Sequence, residues 1–290
     1  MYLLQFLDGI KMTKLSLSLV ICFSIPTLSV AQEPVWKKWE VEADTLMERQ
    51  DFDQAIKLYS KVIQESKLTE KENFRSVYKR AIGYYSLGDF ENALKDIALF
   101  IPEFPQNYQA HVLAALIHRQ TGDAEKQMQE LNKAIELQSS NLELIKWRGT
   151  LYVENGEFAL AKRDLLWVRP LQDDPELETN LGLVYYAAGK LDSALISINR
   201  SIELDATYEP AYLYAGSFCL EAERYELALK YLNLALLVDP ENVNALFYKG
   251  VALVQLNRIA QGCSALARAF KEGNDEAADY LKEHCYDVDR

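Results

Sequence analysis

Small residues recur at intervals of about 34 residues along this chain. One series consists of Ala43, Ala81, Ala115, Gly149, Gly182, Gly216 and Gly250. A second, less regular series follows at a fixed interval after the first, at Ala55, Ala93, Gln127, Ala161, Ala194, Ala228 and Gly262. Two helices that cross closely need small side chains at the crossing, because a bulky residue would force their axes apart. The pattern therefore predicts a row of helix pairs.

The clearest unit runs from Glu209 to Asn242. Its characteristic positions are Tyr212, Ala215, Gly216, Cys219, Tyr225, Ala228, Leu232, Ala235 and Pro240. These spacings resemble the tetratricopeptide repeat (TPR), a helix–turn–helix unit of about 34 residues. The resemblance implies an all-α, right-handed solenoid of about seven repeats. In this register the repeats span residues 36–69, 74–107, 108–141, 142–174, 175–208, 209–242 and 243–274.

Turn signals separate the two predicted helices of the first five repeats. They are Gln50-Asp51, Gly88-Asp89, Gly122-Asp123, Gly156-Glu157 and Gly189-Lys190. We expect Gly to end the first helix in a left-handed conformation, and an acidic residue then favours the next helix start. The register is irregular in three places. Extra residues around 67–72 predict a longer helix or turn, Gln127 predicts a looser crossing, and one residue is missing near Pro175.

The N-terminal segment has the features of a secretory signal peptide. Lys11 and Lys14 precede the short apolar run 15–25, and the small residues Ser29 and Ala31 stand where a signal peptidase reads. We expect residues 1–31 to be removed. Met12 is the expected start of translation, because residues 1–10 add nothing that the signal needs. The alternative, a membrane anchor, is disfavoured because a run this short does not cross roughly 30 Å of hydrocarbon.

The C-terminal end of the chain predicts a capping helix. Gly273-Asn274 ends the last repeat, and residues 275–285 place Ala278, Leu281 and Cys285 on one face. A solenoid needs such a helix to cover its last apolar face, so the solenoid domain is expected to span residues 33–286. Cys263 and Cys285 lie symmetrically about the predicted turn, which makes a disulfide between them plausible in an oxidising compartment. The alternative is two buried thiols.

Composition and motifs argue against several functions. The net charge of −12 disfavours nucleic acids and anionic lipid surfaces as partners. Glycine patterns for phosphate or dinucleotide binding are absent from the sequence, as are the motifs of hydrolases and zinc proteases. His111 and His118 lack neighbours at zinc-ligand spacing, and we interpret them as groove or surface residues. We therefore expect no enzyme activity, no metal and no cofactor.

In TPR proteins, selected positions of each first helix face a concave groove. Here the resemblance places mostly aromatic and cationic residues there: Tyr78, Tyr85, Arg119, Lys146, Trp147, Tyr186, Tyr214, Phe247 and Tyr248. Aromatic rings supply contact area at low entropic cost, and cations pair with carboxylates of a peptide. Part of this set is also expected to pack between repeats.

The sequence supports three functional hypotheses. The main one is a non-catalytic scaffold of the periplasm or envelope of a Gram-negative bacterium, which holds a protein or peptide partner in the groove. The second is an accessory subunit of an envelope enzyme or transport system. The third is a groove for carbohydrate or lipid, because Tyr and Trp also stack on sugars.

Overall fold

The computed structural model describes residues 34–68 and 71–285, except the side chain of residue 72. Within these ranges every long regular element is an α-helix. The first helices of the seven pairs are α1 Val35–Glu48, α3 Phe74–Ser86, α5 Tyr108–Thr121, α7 Leu142–Glu154, α9 Pro175–Ala187, α11 Glu209–Glu221 and α13 Val243–Gln255. The second helices are α2 Phe52–Ser66, α4 Phe90–Phe100, α6 Ala124–Leu137, α8 Phe158–Val168, α10 Leu191–Leu204, α12 Tyr225–Val238 and α14 Ile259–Lys271.

The cap helix α15, Glu276–His284, completes the array, and a single 3-10 turn, Lys71–Asn73, precedes α3. The predicted fold class, an all-α solenoid of seven helix pairs with a C-terminal cap, is confirmed. In the described part of the chain, none of the helices has the length and apolar character needed to cross a membrane. The predicted signal peptide, residues 1–31 with its start at Met12, lies outside the described residues.

Short polar side chains begin many of the helices. Among the first helices, the side chains of Asn107, Asn141, Asp174 and Asn242 accept hydrogen bonds from backbone N–H groups of the first turn. Asp51, Asp89 and Asp123 do the same for α2, α4 and α6. These caps satisfy N–H groups that have no partner inside the helix. The expected role of acidic residues after the turn is thus confirmed at three turns.

The turn residue of each pair has a positive φ angle. Glycine occupies this position in four repeats, at Gly88, Gly122, Gly156 and Gly189. The other three repeats use Gln50, Glu223 and Asn257, with φ of 62°, 58° and 59°. The left-handed turn therefore belongs to the fold itself, since it persists where a side chain makes it less favourable.

Helix crossings are as close as the small-residue pattern predicts. A Cβ atom added at Gly149 would lie 2.8 Å from Leu165, and one at Gly216 would lie 2.6 Å from Leu232. Gly182 and Gly250 are in the same situation against Ile198 and Leu266. Each of these four partners is fully buried, so the two helices of a pair meet at one tightly packed point.

The irregular places in the register have visible consequences. Lys67 and Leu68 both have φ of 51°, and with the 3-10 turn they form the lengthened connection between α2 and α3. Gln127 is 5 % exposed at the crossing of α5 and α6. Its Nε2 atom has no hydrogen-bond partner in the described part of the chain. A polar side chain therefore occupies the place of the expected small residue.

The cap helix covers the apolar end of the last repeat by packing on α13 and α14. Its buried residues are Ala277 and Leu281, so Ala277 takes the place that the sequence assigned to Ala278. The sulfur atoms of Cys263 and Cys285 are 2.02 Å apart. Cys219 is buried in the core of the sixth repeat and makes no disulfide, and burial raises the pKa of its thiol to about 11.

Candidate partner-binding groove

The first helices form the inner wall of the solenoid. The backbones of α3 and α5, α7 and α9, α9 and α11, and α11 and α13 approach one another across repeat boundaries. The second helices of neighbouring repeats do not approach in this way within the described residues. An array whose first helices are closer together than its second helices curves toward the first helices. The inner wall is therefore the concave surface, which we call the groove.

The N-terminal part of the groove is a network of paired charges. The carboxylate of Asp44 on α1 accepts a hydrogen bond from the Nζ atom of Lys79 on α3 at 2.6 Å, and another from the hydroxyl of Tyr59 at 2.6 Å. Burial and the nearby Asp44 raise the pKa of Tyr59. Ser76 donates a hydrogen bond to Glu40 at 2.9 Å. These groups already satisfy one another, which favours a role in joining the first two repeats.

Lys146 lies in the middle of the groove and is surrounded by carboxylates. Its Nζ atom is 2.7 Å from Asp174, 3.3 Å from Glu143 and 3.9 Å from Glu176. Burial opposes the positive charge, but the hydrogen bond to Asp174 and the other carboxylates raise the pKa of Lys146 above its usual value. Burial also raises the pKa of Glu176. With three carboxylates around one ammonium group, this part of the groove presents negative charge.

The C-terminal part of the groove carries three tyrosines on successive first helices, Tyr186, Tyr214 and Tyr248, which we call the tyrosine ladder. All three are half-buried. The ring of Tyr186 stacks on Phe218 with centroids 3.9 Å apart, and its hydroxyl donates to Glu221 at 2.6 Å.

Carboxylates accompany this ladder. Burial, with the hydrogen bond to Glu221, raises the pKa of Tyr186 to about 12. Burial also raises the pKa of Tyr248, with further contributions from Glu276, Glu221 and Tyr214. The ladder therefore combines apolar ring surface with negative charge, a combination suited to binding cationic and apolar side chains.

The remaining sequence-predicted residues have different environments. Tyr78 stacks on Phe100 with ring centroids 4.9 Å apart, and the rings of Tyr85 and Phe90 lie 5.9 Å apart. Trp147 packs against the core of the middle repeats, whereas Arg119 is exposed. Phe247 is 7 % exposed and meets Tyr280 of the cap edge to face, so its ring contributes mainly to the packing of α15.

Sequence reasoning missed the carboxylates that surround the groove residues. Glu221 is the last residue of α11, at a position that the resemblance does assign to the groove, but its carboxylate was not among the predicted binding residues. Glu276 begins the cap, outside the first helices. Tyr208 was also missed, and burial with Glu176 and Asp174 nearby raises its pKa to about 12. The excess of acidic over basic residues in the composition was the available signal.

The histidines are not groove or surface residues, so that interpretation was wrong. His111 and His118 are 6 % and 8 % exposed. The Nδ1 atom of His111 is 2.7 Å from the Glu130 carboxylate on α6, which joins the two helices of the third repeat. Among the described residues, no group of three or more His, Cys, Asp or Glu is arranged to hold a metal ion.

Family models match most of the helical array. The Fis1 C-terminal tetratricopeptide repeat matches residues 75–124, and two tetratricopeptide repeat models match residues 108–141 and residues 148–209 with 219–280. The chain belongs to the tetratricopeptide repeat proteins. This family has the fold of protein-binding scaffolds, and the chain is one of its all-helical solenoids.

Relatives of known name share the repeats over part of their length. Human tetratricopeptide repeat protein 13 is 29 % identical over 178 residues, which are 57 % of this chain and 19 % of that protein. A TPR repeat-containing protein of Methanocaldococcus jannaschii is 24 % identical over 237 residues, 74 % of this chain and 41 % of that protein. The chain thus spans less than half the length of these relatives.

Solved structures match the fold over nearly their whole length. A TPR protein from Parabacteroides merdae has a TM-score of 0.65 at 13 % identity, covering 86 % of this chain and 96 % of its own. The C-terminal part of a TPR protein from Cytophaga hutchinsonii has a TM-score of 0.64 at 20 % identity, with coverages of 83 % and 98 %. PilW, a type IV pilus biogenesis factor, has a TM-score of 0.63 at 15 % identity, with coverages of 72 % and 98 %.

Proposed function

We propose that this TPR protein is a non-catalytic scaffold that holds a segment of a protein partner in its groove. The observation that carries the proposal is the tyrosine ladder with Glu221 and Glu276 beside it. Half-buried rings supply area to a partner, and nearby carboxylates attract cations. The partner segment is therefore basic and aromatic or aliphatic. An acidic partner segment would need groove cations that are free to pair with it. It fits the groove less well, because Lys146 is already paired with Asp174.

We propose further that the scaffold works in the periplasm or envelope of a Gram-negative bacterium. The sequence features of residues 1–31 and the pairing of Cys263 with Cys285 support this location. Similar folds occur in PilW, named as a pilus biogenesis factor, and in YrrB, named as a TPR protein with an unusual peptide-binding site. Those names describe the other proteins. They agree with a peptide partner and with a role in assembly.

The groove is tested with matched variants of the sixth repeat. The immobilised protein is used to capture partners from the native envelope fraction, and captured proteins are identified by mass spectrometry. The groove variant combines Tyr214→Ala with Glu221→Gln on α11. The control combines Tyr231→Ala with Glu226→Gln on α12, which makes the same chemical changes on the outer side.

We expect the groove variant to reduce capture at least about tenfold, since buried aromatic anchors contribute about 1–3 kcal/mol each. The control should retain the partner. Circular dichroism must show both variants folded. A partner lost only with the control variant would place the binding surface on the outer side. A partner that is a polysaccharide or lipid would replace the protein-scaffold proposal with the carbohydrate or lipid alternative.

Export is tested on the native protein. N-terminal sequencing of protein purified from the periplasmic fraction should find Gln32 as the first residue, because Ser29 and Ala31 form the cleavage site. Replacing Ala31 with Arg should block processing and leave the longer form in the membrane fraction. Recovery of an uncut Met1 or Met12 terminus from wild-type cells would contradict export.

A further inference from the structure

Two repeats contain the same three-residue contact on the outer side of the solenoid. In the second repeat, Arg80 on α3 forms a paired contact of 2.8 Å with Asp96 on α4 and donates to Ser60 on the preceding second helix, α2, at 2.9 Å. The arginine thus links two neighbouring second helices across the first helix between them.

The fourth repeat repeats this contact at equivalent positions. Arg148 on α7 donates to Asp164 on α8 at 2.6 Å and to Asn132 on α6 at 2.9 Å. In both repeats the arginine side chain is 17 % exposed and the aspartate side chain 4 % exposed. We call this arrangement of cation, carboxylate and polar neighbour the latch. In the latch, an ion pair occupies the space between the second helices of two neighbouring repeats.

The seventh repeat has the cation of the latch without its carboxylate. Lys249 is the seventh residue of α13, as Arg80 and Arg148 are of α3 and α7. Asn233 takes the place of Asn132 on the preceding second helix, but Ala265 stands where the other repeats have Asp96 and Asp164. Within the described part of the chain, Lys249 therefore forms no ion pair like those of Arg80 and Arg148.

A cleft of about 610 Å³ lies at this place, between α12 and α14 with α13 as its floor. Its cationic residues are Lys249, Arg258 and Arg268, and none of its lining residues is a carboxylate. Leu246 and Leu253, both 4 % exposed, contribute apolar floor. Arg258 precedes α14 and Arg268 lies in its last turn. Ten residues of helix separate them by roughly 15 Å, the length of about four extended residues.

We propose that this cleft, the cationic cleft, binds a short acidic segment of a protein partner. A carboxylate of the partner takes the place of the aspartate that the seventh repeat lacks, and pairs with Lys249 beside Asn233. Arg258 and Arg268 contact further carboxylates at the two ends, and apolar side chains rest on the floor. Arg268 also donates a hydrogen bond to the backbone carbonyl of Pro240 at 2.8 Å, but none of the three cations has a carboxylate among the lining residues of the cleft. This contrasts with a chain of net charge −12, so the attraction is local to this surface.

The cationic cleft and the groove lie on opposite sides of the solenoid. The cleft opens between second helices, whereas the tyrosine ladder lies on first helices. The charges are also opposite, since the ladder has carboxylates and the cleft has cations. The scaffold can therefore hold a basic segment inside and an acidic segment outside at the same time, and failure of one site leaves the other unaffected.

The test restores the latch. Ala265→Asp places a carboxylate on α14 at the position of Asp96 and Asp164, where it pairs with Lys249 and occupies the cleft. Ala267→Asp is the matched control, because it adds the same charge to an exposed position of the same helix outside the cleft. A second variant, Lys249→Gln with Arg268→Gln, removes the cations and leaves the cleft open.

The probe is a fluorescein-labelled, end-capped peptide with alternating Leu and Asp between Gly-Ser flanks, measured by fluorescence anisotropy. A peptide with Asn in place of Asp and a single-stranded oligonucleotide of equal charge serve as comparisons. We expect wild type and Ala267→Asp to bind the acidic peptide with similar Kd. We expect Ala265→Asp and the Lys249/Arg268 variant to bind at least about tenfold more weakly, and the Asn peptide to bind as weakly to wild type.

Three results would overturn the proposal. They are wild-type affinity in both Ala265→Asp and the Lys249/Arg268 variant, equal binding of the Asn peptide, or equal binding of the oligonucleotide. Wild-type affinity in both variants would mean that the peptide binds elsewhere. Equal binding of the Asn peptide would mean that binding does not depend on the carboxylates, and equal binding of the oligonucleotide would mean that it depends on negative charge alone. Thermal denaturation of each variant at 222 nm (a standard helix signal) must show a folded solenoid, which the repeat-local nature of the changes favours.

Discussion

Single contacts at the helix crossings set the geometry of each repeat. At Gly216, the backbone of α11 lies so close to Leu232 on α12 that an added Cβ atom would be 2.6 Å from two of its side-chain carbons. Repeats one to three have alanine at the same position, as in Ala115, which is fully buried. The glycine repeats are therefore packed more closely at this point than the alanine repeats, and the partner side chain fills the space that a methyl group would take.

Gly216→Ala should lower the free energy of unfolding by about 1–3 kcal/mol, because the new methyl group overlaps Leu232 and forces it out of place. Urea denaturation followed by circular dichroism measures the change. Ser217→Ala, on the next residue of the same helix, is the control and should change stability by less than about 0.5 kcal/mol. A Gly216→Ala protein as stable as wild type would show that Leu232 can shift freely and that the crossing is not closely packed.

The stability of each helix pair depends on packing against its neighbours, and the last pair depends on the cap helix. Helix α15 buries Ala277 and Leu281 against α13 and α14. The bond between Cys263 and Cys285 joins α14 to the end of α15 over a sequence separation of 22 residues. A helix of this short length would be marginal alone, so packing and the cross-link together hold it on the apolar end of the solenoid.

Cys263→Ser should destabilise the C-terminal end by roughly 3 kcal/mol, the amount expected for opening a loop of this size. Hydrogen exchange with mass spectrometry should show faster exchange in α13–α15 and unchanged exchange in α1–α6, because solenoid repeats contact only their neighbours. Cys285→Ser removes the same bond from its other end and should give the same pattern. Peptide mapping under non-reducing conditions should find Cys219 free. Identical exchange in the variants and wild type would contradict a stabilising role.

The repeat period was sufficient to predict the elements, because one small residue per helix and one turn residue per pair recur at fixed spacing. The environment of the groove residues was not predictable in this way. Lys146 is paired with Asp174, which lies 28 residues away and caps the first helix of the next repeat. His111 is buried because Glu130 on the facing helix pairs with it. Such pairs depend on which side chains meet between helices, and the repeat pattern of the first helices does not contain that information.

At the scale of the whole molecule, the solenoid separates two kinds of surface. The groove combines the tyrosine ladder with carboxylates such as Glu221, while the cationic cleft at the outer side of the last repeats contains Lys249. The array supports both surfaces, because most neighbouring first helices approach one another along the inner wall. If the proposed function is correct, a segment of the partner protein binds along the inner wall.

Site-specific photo-cross-linking distinguishes binding on the inner wall from binding on the outer helices. A benzophenone amino acid replaces Tyr214 on the inner wall in one strain and Tyr231 on the outer helix α12 in the other, and each protein is irradiated in living cells. The two tyrosines are a matched pair, since both are half-buried at the edge of the same core cluster. Tyr231 donates a hydrogen bond to Asn199 on α10 at 3.0 Å and does not line the cationic cleft, so a partner in that cleft does not contact it. We expect a cross-linked partner band from position 214 and none from position 231. A band from position 231 with none from position 214 would contradict binding on the inner wall.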